Sequence, residues 1–440
     1  MDAQMKNPAQ PPSGGGIAAY AAGSFGTGVF STVPSVLLLY FCTEVLHISA
    51  AWAAMAVFAP KAWGVVWDPL VGIWSDRTHT RFGRRRPFLL AGAIGVAISF
   101  VAVFTPPPLS PGATFAWVAI AYFALATLYS LFAVPYVALP AQIGTTQGLR
   151  AQLVSWRMTV AMIGVLAGAG IAPLIVEAGG GGRAGYAVMS EWVAIACLIA
   201  MTAPIVMLRG RDISSSSTEA REPGLLRQVG EALRHREFVV LTLAYVLQLT
   251  AVGIVSASAP YLVTHAFGRS EGDIGIALLV MLLATTVTVP AWAWAGRRFG
   301  ERQALIGAVI AFGVASCLLG LLARVDIAWP LALVGFVAVG IPFAGMQVLP
   351  FTIIAHLIHE EGRRGSPAEG SFTGVWTASE KLGLAIGPAL TGVALAVAHG
   401  DIPRGLTLFV MGGPLVLALL SLPLLRTRPV PLVSTSEFQP

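Results

Sequence analysis

The chain has 440 residues, of which 56% are hydrophobic and only 11% charged, with a net charge of +6. Soluble domains carry about 25% charged residues, so the composition excludes a soluble enzyme, a disordered chain and a secreted disulfide scaffold. The apolar residues come in long runs rather than short alternating segments, which argues against a membrane barrel and leaves a polytopic helical membrane protein.

Residues 1–16 are polar and rich in Pro and Gly, and read as a flexible tail. A spanning helix needs about 20 apolar residues. Six such stretches follow, near 17–43, 50–74, 87–106, 113–142, 151–176 and 186–208. Residues 209–237 form the one long polar segment, a Ser-rich linker. Six further spans lie near 238–264, 272–296, 303–323, 328–358, 371–398 and 405–425, before a polar tail at 426–440. The expected architecture is all-α: a twelve-helix membrane protein built of an N-terminal bundle (17–208) and a C-terminal bundle (238–425).

Lys and Arg set orientation in membrane proteins. With twelve spans, the termini, the linker and the loops on their side carry 20 of these residues, and the opposite loops carry 4, namely Arg183, Arg269, Arg324 and Arg404. Both termini are therefore expected in the cytoplasm, and the basic balance is a topology signal rather than a nucleic-acid footprint. The two halves also repeat. Pro135-Tyr136 corresponds to Pro350-Phe351, and Phe82-Gly83 to Phe299-Gly300, at offsets of 215 and 217. Duplicated six-helix bundles of this kind place a solute near the membrane midplane and rock around it.

An ionisable side chain inside a span costs about 2.5 kcal/mol or more and marks a functional position by default. Lys61 and Asp68 lie two helical turns apart on one face of span two. Pro69 removes a backbone donor and so frees the carbonyl of Val65 beside Asp68. That arrangement can bind a proton or a small cation, or it can be a structural ion pair. Arg157 in span five stays charged and needs a carboxylate, water or a polar solute. Glu380 and Lys381 are adjacent in span eleven; Lys381 either faces the centre or snorkels to the surface. Trp63, Tyr136, Tyr245, Gln248, Tyr261, Gln347 and Trp376 offer ring faces and amides to a ring-shaped solute, or serve as interfacial anchors. Cys42, Cys197 and Cys317 have no metal-ligand spacing. No cofactor is expected, and no nucleotide loop, metal cluster or nucleophile–base pair points to an enzyme.

The loop after span two reads DPLVGIWSDRTHTRFGRRRPF (68–88). It resembles the gating loop of the major facilitator superfamily, and its RxGRRRPF form resembles the glycoside–pentoside–hexuronide:cation symporters of the melibiose permease type. LLLYFCTEVL, VPYVALPAQI, Arg157 and GSFTGVWTASEKLGLAIGPALTG extend the likeness over most of the chain. The resemblance implies the major facilitator fold, two pseudo-symmetric six-helix bundles, in a bacterial inner membrane. It implies a gating loop of Gly72, Asp76, Arg77, Arg81, Gly83, Arg84, Arg85 and Arg86. It also implies cation coupling by Asp68, with Ser130 at a cation-binding hydroxyl, Lys61 at a basic position and Lys381 at a coupling lysine. Arg157, Trp63, Tyr136, Gln248, Tyr261, Gln347 and Trp376 are then candidates for contact with the solute.

The chain departs from that pattern at the acids. Gly28 stands where the type has its span-one acid, Gly64 at the first span-two acid, Ala133 at the span-four acid, and Val137 at a sugar-contacting Trp. One carboxylate and one hydroxyl make a poor sodium site, because hard cations prefer several oxygens, whereas a proton needs one titratable group. The expected function is thus proton-coupled symport of a sugar or glycoside, with the solute, the coupling cation and the lipid bilayer as partners. The alternatives are a transporter of a lipid, drug or other amphipathic solute, and a non-transporting sensor or assembly factor on the same fold.

Overall fold

The computed structural model describes residues 14–78, 80, 83–208, 230, 232–363, 369–398 and 402–426. Twelve long helices carry these residues: α1 Gly14–Val45, α2 Ala50–Arg77, α3 Arg86–Phe104, α4 Pro111–Ile143, α5 Gln147–Ala178 and α6 Gly182–Met207, then α7 Arg236–Ala266, α8 Glu271–Phe299, α9 Glu301–Leu322, α10 Trp329–Arg363, α11 Glu369–Val397 and α12 Ile402–Arg426. Eleven helices are long and apolar enough to cross a membrane. The remaining one, α2, has 28 residues and carries Lys61 and Asp68 in its interior. Helix rather than strand follows from the medium: without water, each backbone amide must be satisfied within its own segment. Arg81 lies outside the described residues, as do residues 209–229 of the linker.

Local chemistry sets the helix ends. Proline sits in the first turn of α3 and α4, where its missing N–H leaves no carbonyl unpaired. Thr146 caps α5 by accepting from the Leu149 N–H at 3.2 Å. Gly83 and Gly300, the glycines of the two Phe-Gly landmarks, have φ of +94° and +90°. Both therefore adopt the left-handed conformation that glycine enters without steric cost. The repeat read from the sequence is thus also a repeat of backbone geometry.

The chain divides into two compact units. The first holds residues 1–222 with 256–280 and 388–407, so the far ends of α7 and α11 and the start of α8 cluster with the first six helices. In this unit α1 packs on α5 and α6, α2 on α4, and α3 on α4 and α6. Tyr20, Val33, Leu38 and Phe41 of α1 are at most 1% exposed, making that helix the core of the unit. The second unit holds 223–255, 281–387 and 408–440, with α9 packed on α10.

Candidate functional site

Two side chains singled out from the sequence meet between α2 and α4. The Ser130 hydroxyl donates to Asp68 Oδ1 at 2.5 Å. Ser130 is buried at 3% exposure and also lies 3.1 Å from the Ala126 carbonyl. The helices are fixed around this contact by two tryptophans one turn apart. Trp63 Nε1 donates to Thr127 Oγ1 at 3.2 Å, Trp67 Nε1 donates to the Thr127 carbonyl at 3.1 Å, and their rings stack at 5.5 Å. The indole N–H of Trp63 is thus engaged with α4. Lys61 Nζ donates to Ser35 Oγ of α1 at 3.0 Å. The result is a carboxyl that accepts from a hydroxyl, one residue before a proline in the helix interior. Such a group can take up a proton or bind a small cation.

Arg157 of α5 is half-buried, and its Nε is buried without a hydrogen-bond partner. Its guanidinium lies within electrostatic reach of the hydroxyls of Tyr20, Tyr129 and Tyr136. Tyr136 is only 1% exposed; its hydroxyl donates to the Tyr20 carbonyl and pairs with Ser24 Oγ, both at 2.6 Å. That places Tyr136 in the α1–α4 packing, stacked on Phe132. At Gly28 the structure supplies a reason for the missing acid. A Cβ there would overlap the Ala161 carbonyl oxygen and stand 2.9 Å from the Val165 nitrogen, while a Cβ at Gly164 would overlap the Phe25 carbonyl oxygen. Helices α1 and α5 cross backbone to backbone, and no side chain fits at that point.

The loop residues form a bonded cluster at the end of α2. Asp76 lies in the helix's last turn, one residue before Arg77. Arg85 Nη2 reaches Asp76 Oδ1 at 3.0 Å, Arg85 Nη1 reaches the Pro135 carbonyl at 3.4 Å, and Arg84 donates to the Asp76 carbonyl. Arg86 begins α3, and Gly83 makes the turn before it. Gly72 sits one turn before Asp76, with room for ordinary contact with Val134. The Asp76 carboxylate and its arginine partners therefore tie α2, α3 and α4 together.

In the second unit, Gln248, Trp376 and Gln347 lie on α7, α11 and α10. Trp376 stacks on Tyr245 with centroids 4.3 Å apart and planes within 6°, and Phe351 stands edge-on to both. Gln347, one turn before Phe351, and Lys381 are both half-buried. Tyr261 lies elsewhere, in the first unit at the far end of α7.

There it takes part in a reciprocal contact that sequence reasoning missed. Helices α1 and α7 both close in a π-helical turn, Phe41–Val45 and Leu262–Ala266. Tyr40-x-x-Thr43-Glu44 thereby matches Tyr261-x-x-Thr264-His265. Thr43 Oγ1 bonds the Tyr261 hydroxyl at 2.6 Å, and Thr264 bonds the Tyr40 side chain. The two tyrosine rings meet edge-on at 5.1 Å, and Glu44 Oε2 pairs with His265 Nε2 at 3.0 Å. The signal that could have revealed this is the repeated Tyr-x-x-Thr at corresponding helix ends. Cys42, within the turn, is fully buried. Thr43→Val combined with His265→Ala should expose it. In a background lacking Cys197 and Cys317, maleimide should then label Cys42 several-fold faster; an unchanged rate would show that these bonds do not hold this end closed.

The sequence matches the family model described as MFS/sugar transport protein over residues 19–430. It is 23% identical to the sodium-dependent lysophosphatidylcholine symporter 1-A of Danio rerio, over 93% of this chain and 85% of that one. It is 28% identical to the putative glycoside/cation symporter YagG of Escherichia coli, over 86% of this chain and 81% of that one. The crystal structure of the nucleoside transporter NupG superposes with a TM-score of 0.72 at 14% identity, covering 93% of this chain and 99% of the other.

Proposed function

We propose, from the premise that this chain belongs to the MFS/sugar transport protein family, that it is a proton-coupled symporter of a sugar or glycoside. Membership makes it an integral multi-pass membrane transporter of the major facilitator fold and not an enzyme. Its symporter relatives imply a transported solute and a coupling cation. The observation that carries the finer reading is the Asp68–Ser130 contact at 2.5 Å. Gly28, Gly64 and Ala133 stand where the melibiose type carries acids, and a site short of carboxylates suits a proton better than sodium, which favours several oxygens. In this reading Asp68 takes the proton, Ser130 orients it, and Lys61 and Lys381 modulate the charge. Arg157, Gln248, Gln347 and Trp376 are assigned to the solute's surroundings, whereas Trp63, Tyr136 and Tyr261 are engaged in contacts between helices. Gly72, Asp76, Arg77, Arg81, Gly83, Arg84, Arg85 and Arg86 form the loop that biases alternating access. Both termini face the cytoplasm of a bacterial inner membrane.

A second reading, an amphipathic or lipid solute, is favoured by one feature. The first unit has an apolar groove of about 500 Å³ bounded by Phe25, Val29, Ile171, Trp192 and Cys197, able to hold an alkyl chain. Proteoliposomes separate the two. We expect an imposed proton gradient, acid outside, to drive labelled saccharide uptake that a protonophore abolishes and that sodium does not restore. Sodium-driven uptake of lysophosphatidylcholine, with no saccharide uptake, would overturn the sugar reading and the proton together.

A further inference from the structure

The first unit includes the ends of three helices from the second half of the chain, and each lies on a helix of the first half. Tyr261 and His265 of α7 meet Thr43 and Glu44 of α1. Gly392 of α11 lies against Ala54 of α2, and Gly275 of α8 against the Gly170 carbonyl of α5, so closely that a Cβ at either glycine would overlap its neighbour. On the proposed topology this is the outer end of the protein. Rocking of the halves must break these contacts to admit a solute from outside.

The α5–α8 contact differs from the other two, because carboxyls from both halves enter it. Glu177, in the last turn of α5, accepts from the Ser270 hydroxyl at 3.1 Å, and its side chain fills the place that a Cβ on Gly272 would take. Glu271, the first residue of α8, accepts from the Gly182 N–H at the start of α6. The turn that presents this N–H runs through Gly180 and Gly181, with φ of +93° and +67°, a backbone that glycine enters without steric cost. A carboxyl of each half thus sits at the start of a helix of the other, where a helix favours negative charge. Yet the other Glu271 oxygen, Oε2, is buried without a hydrogen bond, and Glu177 lies within electrostatic reach. Tyr40 of α1 and Tyr186 of α6 are also within reach of Glu271; phenols are uncharged near neutral pH. The cations of the adjoining turns are Arg183, exposed on α6, and Arg269, paired with Asp273 at 2.9 Å. The next carboxyl at this end, Glu44, has His265 and His47 around it.

We propose that Glu177 and Glu271 form a proton-operated latch: acid outside holds the outer end closed, and deprotonation frees it to open. The inference rests on the transporter reading above, with this end outermost. Two carboxylates that share a site repel each other, and a buried oxygen without a donor is costly. One proton between the pair removes both penalties. When the ends part, each carboxylate regains water and loses its neighbour, and the proton leaves. The state that holds the extra proton is favoured as pH falls. His265 acts in the same sense, because protonating its ring turns the 3.0 Å contact with Glu44 into an ion pair. The latch proton enters and leaves on the outer side. It therefore adds nothing to the number of protons carried with each solute, and sets instead how readily the outer end opens.

The test is a distance measurement across this end, without solute or gradient. Ala184→Cys on α6 and Asp326→Cys between α9 and α10 are both exposed. Spin-labelled in a background with the three native cysteines replaced by alanine, they report the separation of the halves by double electron–electron resonance in nanodiscs. We expect the closed-to-open ratio to be about threefold or more higher at pH 5.5 than at pH 8.5. Glu271→Gln and Glu177→Gln keep the acceptor oxygens and remove a charge, so each should hold the closed distance at both pH values. Either variant decides if the other does not fold. A distance that ignores pH without these substitutions, or a full shift retained with one of them, would overturn the latch. So would a shift lost in Asp68→Asn or His265→Gln and kept in the glutamine variants, which would place the titration at the coupling carboxyl or the imidazole. A protein that shows the Glu271-dependent shift yet takes up no saccharide on a proton gradient would keep the latch and lose the function proposed above.

Discussion

Asp68→Asn should abolish uphill solute accumulation while leaving solute exchange and binding intact. The substitution is nearly isosteric, and the Asn carbonyl oxygen can still accept the Ser130 hydroxyl that now stands 2.5 Å from Asp68 Oδ1. What is lost is the ability to load and release a proton. One proton moving through 100 mV carries about 2.3 kcal/mol, which at 1.4 kcal/mol per decade supports roughly 50-fold accumulation. We therefore expect the internal-to-external ratio in energised proteoliposomes to fall from that order to 1. Counterflow of labelled solute across the same membrane should continue. Ser130→Ala separates the candidate ions. A proton site keeps its carboxyl and accumulates at a reduced rate, whereas a sodium site loses one of its few oxygens and most of its affinity. Wild-type accumulation by Asp68→Asn would remove Asp68 from the coupling step.

Much of this architecture is legible in the sequence because lipid imposes strict demands. Long apolar runs must be helices, and a carboxylate such as Asp68 in a span stands out against them. Ser130 could be paired with Asp68 before the fold was seen, because the family resemblance supplied the alignment. The Phe-Gly landmarks carried over directly, since positive φ at Gly83 and Gly300 is a demand that the residue type itself signals. Other features depend on geometry that no single helix encodes. Tyr136 and Tyr261 have the residue type of a solute contact, yet the structure gives their hydroxyls to Ser24 and Thr43. Sequence alone cannot say which partner a tyrosine finds across a helix pair. The contact of α1 with α7 depends on two π-helical turns that no propensity signals. For Gln248 the reverse holds: its type raised the question, and only its burial without a partner made it distinctive.

The largest effect on stability is expected at Gly28, and it bears on coupling stoichiometry. Relatives of the melibiose type carry an acid in span one, so Gly28→Asp is the substitution that would restore a second carboxylate. A Cβ at Gly28 meets backbone of α5, the Ala161 carbonyl and the Val165 nitrogen, and no change of rotamer can relieve that overlap. Because Gly164 meets Phe25 backbone in the same way, the two helices must separate, disturbing the most buried helix of the first unit. Overpacking of this kind costs about 1–3 kcal/mol, and a carboxylate forced into the crossing adds the cost of an unpaired buried charge. We expect Gly28→Ala to lower the melting temperature in nanodiscs by several degrees, and Gly28→Asp to leave little monodisperse protein. Gly307→Ala is the control. No atom lies within 4 Å of its added methyl, and alanine favours the helix by up to about 1 kcal/mol, so stability should hold or rise. A Gly28→Asp protein as stable as wild type would show that α1 and α5 do not meet this closely. If the crossing is as tight as it stands, the span-one position is closed to any acid. On the proposed proton coupling, Asp68 is then the one acid of the first unit at the positions where such relatives carry one, and the expected stoichiometry is one proton per solute.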